Sequence, residues 1–414
     1  MPRSKGTGAR VLVTDGTSGA GLAAVRAVVE AGYVVSCADV RRFPMGLRSR
    51  YAAQQFEVKA ETFEEHARGL LELVEQTRPD VLLPLSTCSV AAVARNRDRM
   101  SALTAINVPA WKAFCAAFDK AACVRRCAAL GIAVPRVYTE EEAAEALARG
   151  GRGGRIVVKP AVDVGGAEGV YYPRQAWELT ELVRQAKDSS CGVMLQEYIP
   201  GGPETMRTVV ALFSREGALE AAFSLQKLRQ HPRTGGITVS GISIAAPELV
   251  EMVLPFFLDV GWSGPAEVEL KWDAAEGRHK VIEINPRFPG YAGFARRCGL
   301  DFILLAVQSA LEEPLTQCAY PGYRIGERNV IPQLFLQSVV GELLEREQRR
   351  GALRRAWTEW RGASSNTWAL RRDPGAMLGR GLLELERHLP WQSGPSGHQL
   401  LPRREDWRAK EESS

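Results

Sequence analysis

Histidine is scarce in this chain, with five residues in 414, and no Cys-x-x-Cys occurs. The eight cysteines are scattered at 37, 88, 115, 123, 127, 191, 298 and 318. A zinc site built from these two residue types is therefore not expected. Cys123 and Cys127 stand one helical turn apart and read as two small apolar side chains on a packed helix. No apolar run approaches the ~20 residues of a membrane-spanning helix, so no membrane association is expected. The first ten residues are basic, but Asp15 ends the short Val11-Leu12-Val13 run that follows, and no secretory signal is read there. A cytoplasmic protein is the expectation. The net charge of +5 is too mild to argue for nucleic acid. Nor does an obvious Ser/His or Cys/His pair offer a side-chain nucleophile.

What is present suits a globular protein of two or three domains: 45% hydrophobic and 24% charged residues. Residues 10–108 alternate strand and helix. Strands are expected from Val11 to Thr14, Val34 to Ala38 and Val81 to Leu85, with helices from Gly19 to Ala31 and Glu64 to Gln76. Such alternation specifies a parallel sheet covered by helices. The first turn, Asp15-Gly16-Thr17-Ser18-Gly19-Ala20-Gly21, resembles a dinucleotide loop, and Asp39 stands where a ribose-binding acid would. Its glycines run G-x-x-G-x-G rather than G-x-G-x-x-G, and no Tyr-x-x-x-Lys occurs. An NAD(P)-dependent oxidoreductase is thus the alternative from a different class. The same glycines would also serve tight packing of helix on strand.

Residues 110–150 read as helical, broken at Gly131 to Pro135, with a helix from Glu141 to Ala148. Next comes Ile156-Val157-Val158-Lys159-Pro160, a strand ending in a lysine. The glycine-rich stretch Ala161 to Val170 follows, a mobile hairpin loop that leads into Tyr171-Tyr172. Backbone N–H groups of such a loop can wrap phosphate oxygens while the lysine supplies charge. Val193 to Ile199 is a strand running into a Pro/Gly break at Pro200 to Pro203, which frees backbone groups for the edge of a base. Strands at 205–213, 218–225 and 236–244 and a helix over about 247–260 complete this region.

The pentapeptide Glu283-Ile284-Asn285-Pro286-Arg287 lies 14 residues after Glu269 in a second strand, and an acidic, glycine-containing turn joins the two. Strand side chains share a face every second residue, so Glu283, Asn285 and Arg287 should point one way. With Glu269 opposite, the cluster offers oxygen ligands suited to magnesium and a guanidinium suited to phosphate. A helix should follow from about 300 to 311.

The tail from 341 to 414 holds five of the nine tryptophans, with 14 basic and 11 acidic residues. Arg–Trp interleaving of this kind also occurs in nucleic-acid binders. It reads better as a helical appendage on the main body, disordered after about 393. A nucleotide sensor relying on this tail is a further alternative.

Taken in order, these segments resemble the ATP-grasp superfamily of carboxylate–amine ligases over roughly residues 10–330. The likeness is greatest to single-copy enzymes related to D-aspartate ligase and to carbamoyl-phosphate-synthase-like proteins of biosynthetic clusters. Gln226 to Gly236 and Asp373-Pro374 strengthen it. The resemblance implies a mixed α/β and α+β architecture. In it, residues 1–109 form a parallel pre-ATP-grasp domain and 110–203 a small lobe with a glycine-rich lid. Residues 204–340 form a large lobe with the metal site, and 341–414 the appendage.

It also implies roles. Lys120 and Lys159 would bind ATP phosphates beneath a lid containing Gly165, Gly166 and Gly169. Glu197 would meet the adenine amino group, with the backbone of Tyr198 and Ile199 reading the ring, and Glu204 would hold the ribose. Glu269, Glu283 and Asn285 would ligate two magnesium ions, with manganese as the alternative. Arg287, Lys227 and Arg229 would serve catalysis, and the Arg233-Thr234-Gly235-Gly236 loop would contact substrate and phosphate. The implied partners are a small-molecule carboxylate and an amine, and a homodimer is common in the superfamily. There is one ATP-grasp unit, no amidotransferase segment and no Met-Lys-Met biotin-carrier motif. A carbamoyl-phosphate-synthase-like or carboxylase-type activity is the alternative within the same superfamily.

Overall fold

The computed structural model describes residues 8–16, 19–40, 49–150, 155–162, 169–187, 192–232, 235–316, 322–344, 349–365 and 400–403. Gly165, Gly166, Arg233, Thr234 and Asp373-Pro374 lie outside the described residues.

The chain begins with β1 (Arg10–Thr14), α1 (Gly19–Glu30), β2 (Val34–Asp39), β3 (Gln54–Glu57), α2 (Phe63–Thr77), β4 (Val81–Leu83), α3 (Thr87–Arg95) and α4 (Arg97–Ser101). The strands form a parallel sheet in the order β3-β2-β1-β4. Apolar runs such as Val11-Leu12-Val13 suit strands buried on both faces. Gly21 is where α1 meets the first turn: a Cβ there would lie 2.6 Å from the Asp15 carbonyl oxygen. Close helix–strand packing is therefore one use of that glycine loop. The Asp15 carboxylate turns inward and accepts from the Ser86 amide at 3.0 Å and the Ser89 hydroxyl at 2.9 Å. Asp39, the candidate ribose acid of the oxidoreductase alternative, is buried.

Helices α5 (Trp111–Phe118) and α6 (Lys120–Ala129) lead into a small antiparallel sheet. Its strands are β5 (Val137–Tyr138), β6 (Ile156–Pro160) and β7 (Val193–Glu197), in the order β5-β7-β6. α7 (Glu140–Arg149) and α8 (Ala176–Lys187) cover it. A capping box starts α7, in which the Thr139 side chain and Glu142 satisfy each other's backbone amides. This layer has its own core, including Ala146, Val158, Leu179 and Leu195.

A seven-stranded sheet follows. It comprises β8 (Met206–Phe213), β9 (Leu219–His231), β10 (Ile237–Ile244), β11 (Gly264–Asp273), β12 (Arg278–Asn285), β13 (Arg328–Val330) and β14 (Ala363–Ser365). The order is β12-β11-β8-β9-β10-β13-β14, and only the β13–β14 pair is parallel. Alternation along the strands divides two cores. Val210, Leu212, Phe223 and Leu225 pack with β1, α1, α10 (Ala292–Cys298) and α11 (Phe302–Ala310). Val209, Ala211 and Phe213 face α9 (Pro247–Val260), whose Phe256 and Phe257 are at most 1% exposed. Each such burial is worth about 2–3 kcal/mol. The parallel sheet and the large sheet thus share one core, whereas the small sheet does not belong to it.

Four expectations differ from the structure. β3, α3, α4, α8 and α10 go beyond the elements expected: three of the four β3 residues are polar and exposed, and α10 is only two turns long. β9 continues to His231 rather than ending near 225. Residues 400–403 lie past about 393, where disorder was expected to begin, yet Leu400 is 4% exposed and Leu401 packs against the core beneath α2 and α3. α12 (Pro332–Leu344) runs through position 340, where a domain boundary was expected, and α13 (Ala352–Trp360) packs beside it.

Candidate functional site

A cavity of about 770 Å³ opens between the small and large sheets. Local structure aims each lysine at it. Asp119 caps α6 by accepting from the amides of Ala121 and Ala122, at 2.9 and 3.0 Å. That cap fixes Lys120 at the first helical position, and the Lys120 amide is tied to the Ala161 carbonyl at 2.8 Å. Lys159 projects from β6 and donates to the Ile282 carbonyl at 3.4 Å. Across β6, Tyr171 exchanges two backbone hydrogen bonds with Val158, so the chain returns beside the strand at 169–171. Gly169 permits that return: its φ is +77°, and a Cβ there would lie 2.8 Å from the Pro160 ring.

On the facing sheet, Glu269 of β11 is paired in register with Glu283 of β12, and Glu267 with Asn285. Both carboxylates already have ammonium partners. Lys120 Nζ lies 2.8 Å from Glu283 Oε2, and Lys227 Nζ lies 2.9 Å from each Glu269 oxygen. Burial alone would raise the Glu283 carboxyl, but Lys120, Lys159 and Lys227 outweigh it and hold it down to about 2. Burial prevails at Glu269, whose carboxyl is raised in spite of Lys227. The Lys159 ammonium is pushed down to about 8, first by burial and then by its neighbour Lys120.

Beneath this layer lies Glu267, which no motif singled out. It accepts from Arg287 Nη1 at 3.0 Å, Asn285 Nδ2 at 3.3 Å and the Tyr291 hydroxyl at 2.9 Å. The parity of β11 signals it, because 267, 269 and 271 share a face. Lys271 lines the cavity as well.

The cavity wall includes Lys120, Lys159, Gly235, Gly236, Lys227, Glu269, Glu283, Asn285 and Arg287, together with Glu197, Tyr198 and Ile199 at the end of β7. Gly169 stands at its edge, next to Val170, which lines it. Glu204 is not part of the wall. It is exposed, and its Oε1 accepts from the Gly202 amide at 3.0 Å, although its charge reaches Lys271.

Arg229 departs from expectation altogether. Lys227 and Arg229 are two apart and should share a face, yet Arg229 points away from the cavity. Leu228 is an extra residue in the β9–β10 ladder, since Lys227 pairs with Gly241 and Arg229 with Ser240. That bulge inverts the alternation, so Gln230 lines the cavity instead. Arg229 is clasped by Glu342 at 2.6 Å and Glu359 at 2.9 Å, under the ring of Phe335. The structure thus does not bring Arg229 to the cavity. Arg155 and Tyr172 also line the cavity without a sequence signal. The Arg155 guanidinium lies 4.7 Å from the Tyr198 ring centroid, and Tyr172 meets that ring edge-on.

No protein-family model and no curated protein sequence matches the chain. Solved structures do. Biotin carboxylase from Campylobacter jejuni, in its β-γ-ATP complex, aligns at a TM-score of 0.61 with 16% identity, over 77% of this chain and 74% of that one. An N5-carboxyaminoimidazole ribonucleotide synthetase in complex with ADP aligns at 0.61 with 15% identity, over 83% and 88%. L-amino acid ligase from Bacillus licheniformis aligns at 0.58 with 17% identity, over 79% of each chain. The fold they share with this chain is the ATP-grasp fold.

Proposed function

We propose that this chain is an ATP- and magnesium-dependent ligase that activates a carboxylate as an acyl phosphate and joins it to an amine, releasing ADP and phosphate. The observation that carries the reading is the convergence of Lys120, Lys159 and Lys227 on the facing pair Glu269 and Glu283 within one cavity. Lys120 and Lys159 bind phosphate oxygens, beneath a lid that begins after β6. Glu197, with the backbone of Tyr198 and Ile199, receives adenine, and Glu204 reaches the ribose from the rim once the base is seated.

Glu269, Glu283 and Asn285 fit a hard cation. All offer oxygen, and Asn285 commits its amide nitrogen to Glu267, which leaves its oxygen for a ligand. Magnesium there, or manganese in its stead, would supply positive charge to the terminal phosphates. Transfer to a carboxylate brings two anions together, and the lysines with Arg287 lower that repulsion. Glu267 fixes Arg287 toward the reacting end. In the same reading, 1–109, 110–203, 204–340 and 341–414 serve as pre-ATP-grasp domain, small lobe, large lobe and appendage. A homodimer and a cytoplasmic setting belong to it on the resemblance alone.

The test is ADP release by the purified protein over a panel of amino acids and small acids. Release that depends on both a carboxylate and an amine supports ligation, and none with any pair refutes it. A carboxylase-type reaction is the second reading, favoured by the likeness to biotin carboxylase. It predicts release that requires bicarbonate.

Lys159 gives the site a pH signature. Below its value of about 8 the ammonium is charged and attracts phosphate; above it the charge is lost. ATP affinity should therefore begin to fall as pH rises past about 8. Lys159→Met should bind weakly throughout and lack that step, as followed by calorimetry from pH 6.5 to 9.5. A flat profile in the unaltered protein would remove Lys159 from phosphate binding.

A further inference from the structure

Behind the cavity one buried lysine joins three carboxylates. Lys280 Nζ lies 2.7 Å from Glu276 Oε1, 3.0 Å from Asp273 Oδ2 and 3.1 Å from Glu197 Oε2. The three acids stand close enough to share a cation, and the ammonium fills that place. It reaches them because Ile282 is an extra residue in the β11–β12 ladder, where Glu283 pairs with Glu269 but Val281 with Leu270. Without that bulge Lys280 would face away from Glu283. Of the four residues, Glu197 alone lines the cavity.

Glu197 Oε2 is doubly engaged, accepting from Lys280 and from the Arg136 amide at 3.1 Å. Two donors on one oxygen fix the plane of the carboxylate. Oε1 has no donor among the described residues and remains the acceptor for whatever the cavity holds. A carboxylate paired with an ammonium has acceptor oxygens and no donor. An adenine ring offers an amino group at its six position, and a guanine ring offers a carbonyl oxygen there. A carboxylate held in place bonds the first and repels the second.

We propose that Lys280 is a positioning residue which, with Asp273 and Glu276, locks Glu197 as an obligate acceptor and so makes the cavity select adenine over guanine nucleotides. This rests on the reading of the cavity as an ATP site. A site built around a required hydrogen bond rejects an analogue that cannot make it by a factor on the order of a hundred or more.

The experiment measures dissociation constants of magnesium ATP and magnesium GTP, by competition against a fluorescent adenine nucleotide. It compares the unaltered protein with Lys280→Met, Glu197→Gln and the double variant, and melting temperatures are recorded alongside. Lys280→Met should weaken ATP about tenfold, one hydrogen bond's share, and leave GTP nearly unchanged, so the preference shrinks. Glu197→Gln, whose amide can turn to donate, should shrink it further. Adding Lys280→Met to it should then change the preference no more. A purely structural lysine would lower the melting temperature and weaken both nucleotides alike. An unchanged ATP-to-GTP ratio in Lys280→Met overturns the proposal. Should that variant fail to fold, an unchanged ratio in Glu197→Gln overturns it as well. Binding of neither nucleotide by the unaltered protein defeats the ATP reading itself, and this inference with it.

Discussion

Glu283→Gln is expected to lower ADP release at least about a hundredfold, on the order of 3 kcal/mol of lost transition-state stabilisation. The substitution keeps shape and removes charge. Glu283 is the point where three lysines converge, and its carboxyl is held down to about 2, so it is fully ionised at neutral pH. Glutamine offers a cation one neutral oxygen and leaves Lys120 without its partner at 2.8 Å. Two effects should separate in the assay. The magnesium concentration for half-maximal release should rise, and the maximal rate should fall. The melting temperature should fall as well, because buried Lys120 and Lys159 lose the carboxylate that balances them, so the rates are compared at a temperature where the variant stays folded. Turnover equal to that of the unaltered protein would exclude Glu283 from the metal site.

Arg229→Met should instead act on stability, costing about 3–5 kcal/mol. Arg229 is 4% exposed and its partners Glu342 and Glu359 are 7% and 18% exposed. Removing the guanidinium takes the cationic partner from Glu359, which keeps the Ser240 hydroxyl, and leaves Glu342 to Arg355 at 3.3 Å, both in a poorly hydrated place. The loss should appear as a lower denaturant midpoint and as earlier proteolysis of α12 and α13. The triple variant Arg229→Met, Glu342→Gln, Glu359→Gln should recover most of it, since a charge is costly to bury only when unpaired. If the single variant is as stable as the parent, the cluster is not what fastens these helices to β9. Nucleotide binding should respond only weakly, because Arg229 does not reach the cavity.

Much of the site was legible because β-strands obey a period of two. Glu283, Asn285 and Arg287 follow it, and Glu269 pairs across the hairpin as the alternation requires. Lys120 came only from the resemblance, and Lys159 was readable from ending an apolar strand. The misplacements of Arg229, Gln230 and Lys280 have one cause. A bulge adds a residue and reverses the alternation, and apolar patterning does not reveal where this occurs. Leu228 turned Arg229 away and Gln230 inward. Ile282 brought Lys280 round to Glu197. Glu267 was missed for another reason: its parity was correct, but its role is to hold Arg287, Asn285 and Tyr291 rather than to face the cavity. Among the elements, β3 and α10 were too short to leave a periodic pattern.

The pairing of each cavity carboxylate with its own lysine has a wider consequence. Glu269 and Glu283 face each other in register, and the two ammonium partners offset the repulsion between them. Arrival of a metal–nucleotide is then an exchange of partners: carboxylates turn from ammonium to cation as ammonium turns from carboxylate to phosphate. Such double displacement changes the local charge little and makes occupancy reversible, which suits a catalyst that must discharge its spent nucleotide after every cycle.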